Sequence, residues 1–148
     1  MKTHKLFFTA LLLTGLAYAG CSKNDDNDST KPVITLNSPE EGEIIYAGTD
    51  TSIICLNATF SDNEKLKQYK INIHNAAGHG HKNGNNLWDT TIVQPLDGRS
   101  RDVDFDINLA NFNIADTADY HFMVYCLDEA GNESMVYRTI EVKWHSKK

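Results

Sequence analysis

The chain lacks the features of an integral membrane protein and of the common enzyme classes. Its 148 residues contain one long apolar run, at the N-terminus, and no second run that could span a bilayer. It has no Gly-x-Ser-x-Gly, no phosphate-cradling glycine loop and no His-Glu-x-x-His, the motifs of serine hydrolases, P-loop NTPases and zinc proteases. We therefore expect no catalytic residues and a protein that is not an enzyme.

Positive charge is also scarce. The chain has 14 Lys and Arg against 20 Asp and Glu. Removing residues 1–20 takes away Lys2 and Lys5 and no acid, which leaves 12 against 20 and a net charge of −8. Because a nucleic-acid-binding protein neutralises phosphates with basic side chains, this balance argues against a nucleic-acid partner.

The N-terminus has the order of an export signal. Lys2 and Lys5 come first, an apolar run follows over residues 6–13, and small residues end at Ala19-Gly20. A charged region, a short apolar region and a small-residue cleavage site define a secretory signal peptide. We predict that residues 1–20 are removed and that the mature chain begins at Cys21.

Tyr18-Ala19-Gly20-Cys21 resembles the lipobox of bacterial lipoproteins, with Tyr18 in place of the usual aliphatic residue. The resemblance implies that Cys21 is lipidated and that its acyl chains, several on one residue, anchor the protein to a membrane. Residues 21–31 are polar and acidic, which predicts a disordered tether. They resemble the export tag of Bacteroidetes surface lipoproteins, which implies an outer-membrane anchor exposed on the cell surface. The Asp25-Asp26-Asn27-Asp28 run could attract calcium weakly but lacks EF-hand spacing.

Alternation with a period of two recurs through residues 32–144 and predicts β-strands, whereas no long segment shows helical spacing. The clearest case is residues 102–109, in which every second side chain is apolar. Six or seven short strands in about 115 residues, with turns between them, predict one all-β, antiparallel sandwich. Residues 145–148 are then a C-terminal tail.

Asp116-Thr117-Ala118-Asp119-Tyr120 resembles the tyrosine corner of immunoglobulin-like folds, and residues 127–132 resemble the penultimate strand and turn of bacterial immunoglobulin-like or fibronectin-like modules. The resemblance implies an immunoglobulin-like sandwich of about seven strands. Together with the lipobox, Thr59 to Asn63, Ile71 to Asn75 and Gly78 to Lys82 resemble a family of short Bacteroidetes lipoproteins classed as a domain of unknown function. A fold by itself implies no activity.

Two cysteines remain in the predicted sandwich, Cys55 and Cys126, and export makes a disulfide between them conceivable. Strand parity argues against the bridge. Cys126 shares the inward face of its strand, whereas Cys55 lies between the inward Ile54 and Leu56 and should point outward. We therefore expect two free thiols and keep the disulfide as the less favoured alternative.

Four histidines form the candidate ligand site: His74, His79, His81 and His121. His79 and His81 lie in a glycine-rich loop, and imidazoles on such a loop can converge on zinc or copper. In an immunoglobulin-like sheet the third and sixth strands are antiparallel neighbours, so His74 and His121 should meet where the loop begins, and by strand parity both should point outward. The alternative is an ordinary polar loop with exposed histidines.

Two other groups of residues have simpler interpretations. Asp102, Asp104 and Asp106 are alternate residues of one strand, roughly 7 Å apart, which indicates a solvated face that discourages edge pairing. Trp88 follows the glycine-rich loop and could cap the histidines, stack on a sugar or pack a strand end.

The favoured function is a surface-tethered binding module that captures zinc or copper. One alternative is an accessory lipoprotein that docks onto an outer-membrane receptor or another lipoprotein through a sheet face. The other is a glycan-binding module of a surface uptake system.

Overall fold

The computed structural model of the chain describes residues 28–48, 52–77, 88–112, 114 and 117–144. Within these ranges the chain forms eight strands and one 3-10 turn, Leu109–Asn111. The strands are β1 (Val33–Ser38), β2 (Ile44–Ala47), β3 (Ile53–Ser61), β4 (Leu66–Asn75), β5 (Thr90–Pro95), β6 (Ser100–Asn108), β7 (Ala118–Asp128) and β8 (Glu133–Trp144).

The strands form two sheets, one with the order β1-β3-β6 and one with the order β2-β8-β7-β4-β5. The prediction of an all-β sandwich is confirmed, with eight strands in place of about seven. Neighbouring strands are antiparallel except for β2, which runs parallel to β8. The additional strand is β2. Its sequence, Ile44-Ile45-Tyr46-Ala47, has no polar residue to mark an alternation, so the period-two pattern does not reveal it.

Alternate side chains of the two sheets meet in one core. In β7 the inward residues are at most 1% exposed, and they are Tyr120, Phe122, Val124 and Cys126. Phe60 of β3 stacks on Tyr69 of β4 with 5.3 Å between the ring centroids, which joins the two sheets. Each large apolar side chain buried in this way contributes about 1.5–3 kcal/mol of transfer free energy.

The chain first passes from the small sheet to the large one between β1 and β2. Gly42 has φ +76°, a conformation that a side chain would disfavour. Its N–H donates to the Thr139 carbonyl at 2.8 Å, so the turn is fastened to β8 just before β2 begins to pair with that strand. This bond sets the start of the parallel pair.

Candidate functional site

A pair of histidines lies on the outer face of the five-stranded sheet, where β4 ends and β7 begins. His74 and His121 are direct partners in the register of the two strands. Their rings make a T-shaped contact with 5.3 Å between centroids. Their chain neighbours Ile73 and Phe122 are fully buried, so the two histidines point to the opposite, solvent-facing side of the sheet.

The orientation of His74 is set by Asn72, two residues earlier on the same face. Asn72 Nδ2 donates to Thr91 Oγ1 at 3.0 Å and to the Thr90 carbonyl at 3.3 Å, both on β5. With its amide nitrogen turned toward β5, Asn72 presents Oδ1 to His74 Nδ1 at 2.7 Å. A carbonyl oxygen only accepts, so this contact is a hydrogen bond when the proton of the His74 ring is on Nδ1.

Tyr137 of β8 flanks the pair on the other side. Its ring meets the His121 ring in a T-shaped contact with 5.7 Å between centroids, and its side chain is 53% exposed. Three neighbouring strands thus contribute to one row of rings, from β4 through β7 to β8. Tyr137 is exposed and both histidines are partly exposed, which allows a ligand to approach the imidazoles from outside the sandwich.

The other residues of the predicted cluster, His79 and His81, lie outside the described residues, as does Cys21. The described chain before them is placed beside the pair, because Asn75 is the register partner of Tyr120 and the Ala76 N–H donates to the Asp119 carbonyl at 2.8 Å. This part of the described chain ends at Ala77, one residue after the contact with the start of β7.

Cys55 and Cys126 are free thiols, and the alternative of a disulfide between them is not realised. Cys55 is exposed on β3 of one sheet, and Cys126 is buried on β7 of the other. Burial raises the pKa of the Cys126 thiol to about 12. A hydrogen bond to Asp106 raises the pKa of Cys55. Both pKa shifts favour the thiol over the thiolate, which is the form that binds metal.

Trp88 belongs to the core. It is 5% exposed and its ring packs against Phe112 and Tyr120 at centroid distances of 5.0 and 5.6 Å. Trp88 therefore has the packing role, and not that of a cap over the histidines or a platform for a sugar. A ring enclosed by other aromatic rings offers no face on which a sugar could stack.

The acidic stripe lies on β6, one of the two edge strands of the three-stranded sheet. Asp102 accepts a hydrogen bond from the Thr59 hydroxyl at 2.7 Å, and Asp104 accepts one from the Asn57 amide. Asp102, Asp104 and Asp106 are all exposed. The stripe is thus a solvated face held by neighbours on β3, as the alternation predicts.

A second group of ligand-type side chains was not predicted. Asp28, Asp62 and Asp128 each place one carboxylate oxygen within 4.8 Å of the others. The first residue precedes β1, the second follows β3 and the third ends β7. The sequence signal for such a group is weak, because 34 and 66 residues separate the three positions and acidic residues are frequent in turns.

The family described as Domain of unknown function (DUF4625) matches residues 19–143 of the chain. No curated protein matches the sequence. Within the residues that the structure describes, no helix has the length and apolar character needed to cross a membrane.

Two crystal structures of wild-type OgpA from Akkermansia muciniphila are similar in fold, each with a TM-score of 0.51, at 10% and 12% sequence identity. The alignments cover 76% of this chain and 29% and 28% of the OgpA chain. This chain therefore spans less than a third of the OgpA length, and at this identity the likeness shows the fold alone. The periplasmic chaperone SfaE aligns with a TM-score of 0.43 and 9% identity over 77% of this chain and 59% of the chaperone.

Proposed function

The chain belongs to the DUF4625 family, whose description assigns no activity, and we propose its function from its own residues. It is a non-enzymatic binding module that is anchored by lipid at Cys21 to the outer membrane and exposed on the cell surface. It captures a divalent transition metal, zinc or copper, with His74, His79, His81 and His121. The observation that carries the proposal is the His74–His121 pair.

The distance between the two rings suits a shared metal. A tetrahedral zinc site has Zn–N distances of about 2.0–2.1 Å, which puts the centroids of two imidazole ligands about 5 Å apart. The observed centroid distance is 5.3 Å. The two strands therefore place the rings at the separation that a shared ion requires, and rotation of the side chains would turn one nitrogen of each ring toward the ion.

The hydrogen bond between His74 and Asn72 also suits metal binding. A metal-bound histidine commonly donates its second ring N–H to an oxygen, which fixes the tautomer and the ring orientation. Asn72 Oδ1 accepts in this way from Nδ1. Because imidazole nitrogen is a ligand for zinc and copper and a poor one for calcium or magnesium, the pair selects a transition metal.

The proposed anchor and fold agree with this role. The lipobox at Cys21 and the acidic residues that follow it support a tethered lipoprotein of the Bacteroidetes type. The sheet orders β1-β3-β6 and β2-β8-β7-β4-β5 support an immunoglobulin-like strand arrangement, in which β4 and β7 are central neighbours. Such a scaffold presents ligands on a rigid sheet face and in the adjoining loop, and no catalytic group is needed.

A calorimetric titration tests the proposal. Zinc chloride, and in a parallel experiment Cu²⁺, is added at neutral pH to the full-length chain, purified in detergent without a histidine tag. We expect saturable binding that His74→Ala/His121→Ala weakens at least about 100-fold, since the loss of one outer-shell partner alone weakens metal sites 10- to 100-fold. His79→Ala/His81→Ala is expected to weaken binding as well.

The matched control is His145→Ala, which removes a histidine of the predicted tail and should leave the binding heats unchanged. Absence of heat with the parent chain, or equal heats for the parent and both double variants, would refute metal capture by these histidines. That result would favour docking to a receptor or lipoprotein through the same sheet face, where Met135 and Tyr137 are 44% and 53% exposed.

A further inference from the structure

Three separate segments bring their carboxylates together at the end of the sandwich where the chain enters β1. Asp28 lies five residues before β1, Asp62 is in the turn between β3 and β4, and Asp128 is the last residue of β7. Asp128 is 1% exposed. One oxygen from each of the three side chains lies within 4.8 Å of the others.

The hydrogen bonds of the cluster explain how the loops hold these carboxylates in place. Asp62 Oδ2 accepts from the N–H groups of Glu64 and Lys65, both at 2.9 Å. Asp128 Oδ1 accepts from the N–H groups of Gly131 and Asn132 at 2.6 and 2.7 Å. Each of these two acids therefore closes its own turn with one oxygen.

Asn132 connects the turn after β7 to the segment at Asp28. Its Nδ2 donates to Asp128 Oδ2 at 2.8 Å and to the Asp28 carbonyl at 2.9 Å. Asn63 Nδ2 and the Thr30 N–H both donate to Asp28 Oδ1. The segment at Asp28 is thus held against both loops, although the sequence places it in the tether.

Two carboxylate oxygens remain without a donor. Asp28 Oδ2 and Asp62 Oδ1 are buried and accept no hydrogen bond. None of the ion pairs formed by the described residues includes any of the three aspartates, and the nearby Lys65 pairs with Asp97 and Glu129. A buried polar atom that lacks a protein partner calls for a water or an ion, and three clustered carboxylates call for a cation.

We infer that Asp28, Asp62 and Asp128 bind one calcium ion, which fastens the segment before β1 to the turns that follow β3 and β7. Calcium takes six to eight oxygen ligands at about 2.3–2.6 Å, so ligand oxygens on opposite sides of the ion are about 4.8 Å apart. The three carboxylates fit within that sphere. The set has no nitrogen or sulfur ligand, which disfavours zinc and copper.

The site has a consequence for the position of the domain, and this consequence rests on the proposed anchor at Cys21. From Cys21 to Asp28 the chain can extend at most about 25 Å. With Asp28 fastened by calcium, the sandwich has a fixed attachment point close to the membrane, and the histidine pair is at the far end of β4 and β7. Calcium would therefore orient the proposed transition-metal site outward.

The test is a titration of calcium chloride into the chelator-treated full-length chain in detergent, followed by calorimetry and by amide NMR spectra. We expect one site, with amide shifts at Thr30, Lys65, Gly131 and Asn132 that EDTA reverses. Asp62→Asn keeps an acceptor for the Glu64 and Lys65 N–H groups and removes one ligand charge. We expect it to weaken calcium binding at least about tenfold, because the number of charged ligands tunes calcium affinity.

The matched control is Asp106→Asn on β6, which removes the same charge opposite Cys55, seven residues and about 23 Å along the strand from Asp62, and should bind calcium like the parent. The inference is overturned if the parent shows no binding at about 10 mM calcium, tenfold above the weak limit of extracellular calcium modules. Equal affinity of Asp62→Asn and the parent also overturns it, as do shifts of the Thr30, Lys65, Gly131 and Asn132 amides that zinc produces and calcium does not. Loss of zinc binding in the histidine variants does not change these outcomes, so the two proposed metal sites are tested independently.

Discussion

The two clusters of ligand-type side chains lie at opposite ends of the same pair of strands. His74 and His121 are where β4 ends and β7 begins, whereas Asp62 precedes β4 and Asp128 ends β7. Seven residues of β7 separate His121 from Asp128, a distance of about 23 Å along a strand. One end presents imidazoles on an open sheet face, and the other encloses carboxylates between loops.

The difference shows two ways in which a β-sandwich can build a ligand site. The histidine pair is made by two neighbouring strands, so strand parity and register are sufficient to place both rings. The acidic cluster is made by three segments that are distant in sequence, and backbone N–H groups of two turns hold its members. Softer nitrogen ligands and harder oxygen ligands are thus kept apart by the length of the strands.

The largest effect should come from the core that both ends share. Phe122 of β7 is fully buried, and Phe122→Ala is expected to lower the free energy of unfolding by about 3–5 kcal/mol. Urea unfolding followed by circular dichroism measures this. Because the change loosens β7 against β4, both zinc and calcium binding should weaken. This one substitution should therefore affect both proposed metal sites, unlike the substitutions made at either site.

Val93→Ala on β5 is the control for this prediction. Val93 is 52% exposed, so its truncation should change the free energy of unfolding by no more than about 0.5 kcal/mol. A Phe122→Ala chain as stable as the Val93→Ala chain would contradict the close packing of Phe122 in the core.

A smaller effect, confined to the histidine end, is expected from Asn72→Ala. The change removes the oxygen that contacts His74 Nδ1, and it should weaken zinc binding about 10- to 100-fold. Calcium binding should be unchanged. Calorimetry with each metal measures both, and Asn57→Ala, which removes an outward asparagine of β3, is the matched control. Unaltered zinc affinity in Asn72→Ala would contradict the role of Asn72 in orienting the ring.

The smallest effect is expected at the acidic end, where the sign of the change in the free energy of unfolding should depend on calcium. Without calcium, Asp62→Asn relieves the repulsion among three carboxylates and should be about 1 kcal/mol more stable than the parent, the size of a charge–charge term at 4 Å in water. With saturating calcium the order should reverse, because the parent binds the ion more tightly. Urea unfolding in EDTA and in calcium chloride provides the comparison. Asp62→Asn less stable than the parent in both buffers would contradict it.

Most of the fold follows from local pattern. The alternation in residues 102–109 and 120–127 predicts β6 and β7 within a few residues of their observed bounds, because a half-buried strand requires every second side chain to be apolar. The strand β2 has only four residues and no alternation, since Ile44 and Tyr46 are apolar and yet exposed. Its parallel pairing with β8 depends on the crossing at Gly42, which no local pattern encodes.

The candidate sites divide in the same way. Parity predicts that His74 and His121 point outward and that Cys55 and Cys126 do not face each other.

The contacts of the predicted tether, by contrast, do not follow from the sequence. Composition predicts that residues 21–31 are a disordered spacer, but the structure places Asp28 against Asn63 and Asn132. Those contacts involve partners 35 and 104 residues away, a separation at which sequence pattern carries no information about proximity.

The amino-acid sequence by itself predicts the export signal and the lipobox at Cys21, and it determined the all-β class and the faces to which the strand residues point, because each of these depends on residues close together in the chain. Only the tertiary structure decided which ligand-type side chains meet: His74 lies opposite His121, and Asp28, Asp62 and Asp128 converge. Register and loop placement are properties of the packed sandwich, in which burial and backbone hydrogen bonds select one arrangement of distant segments.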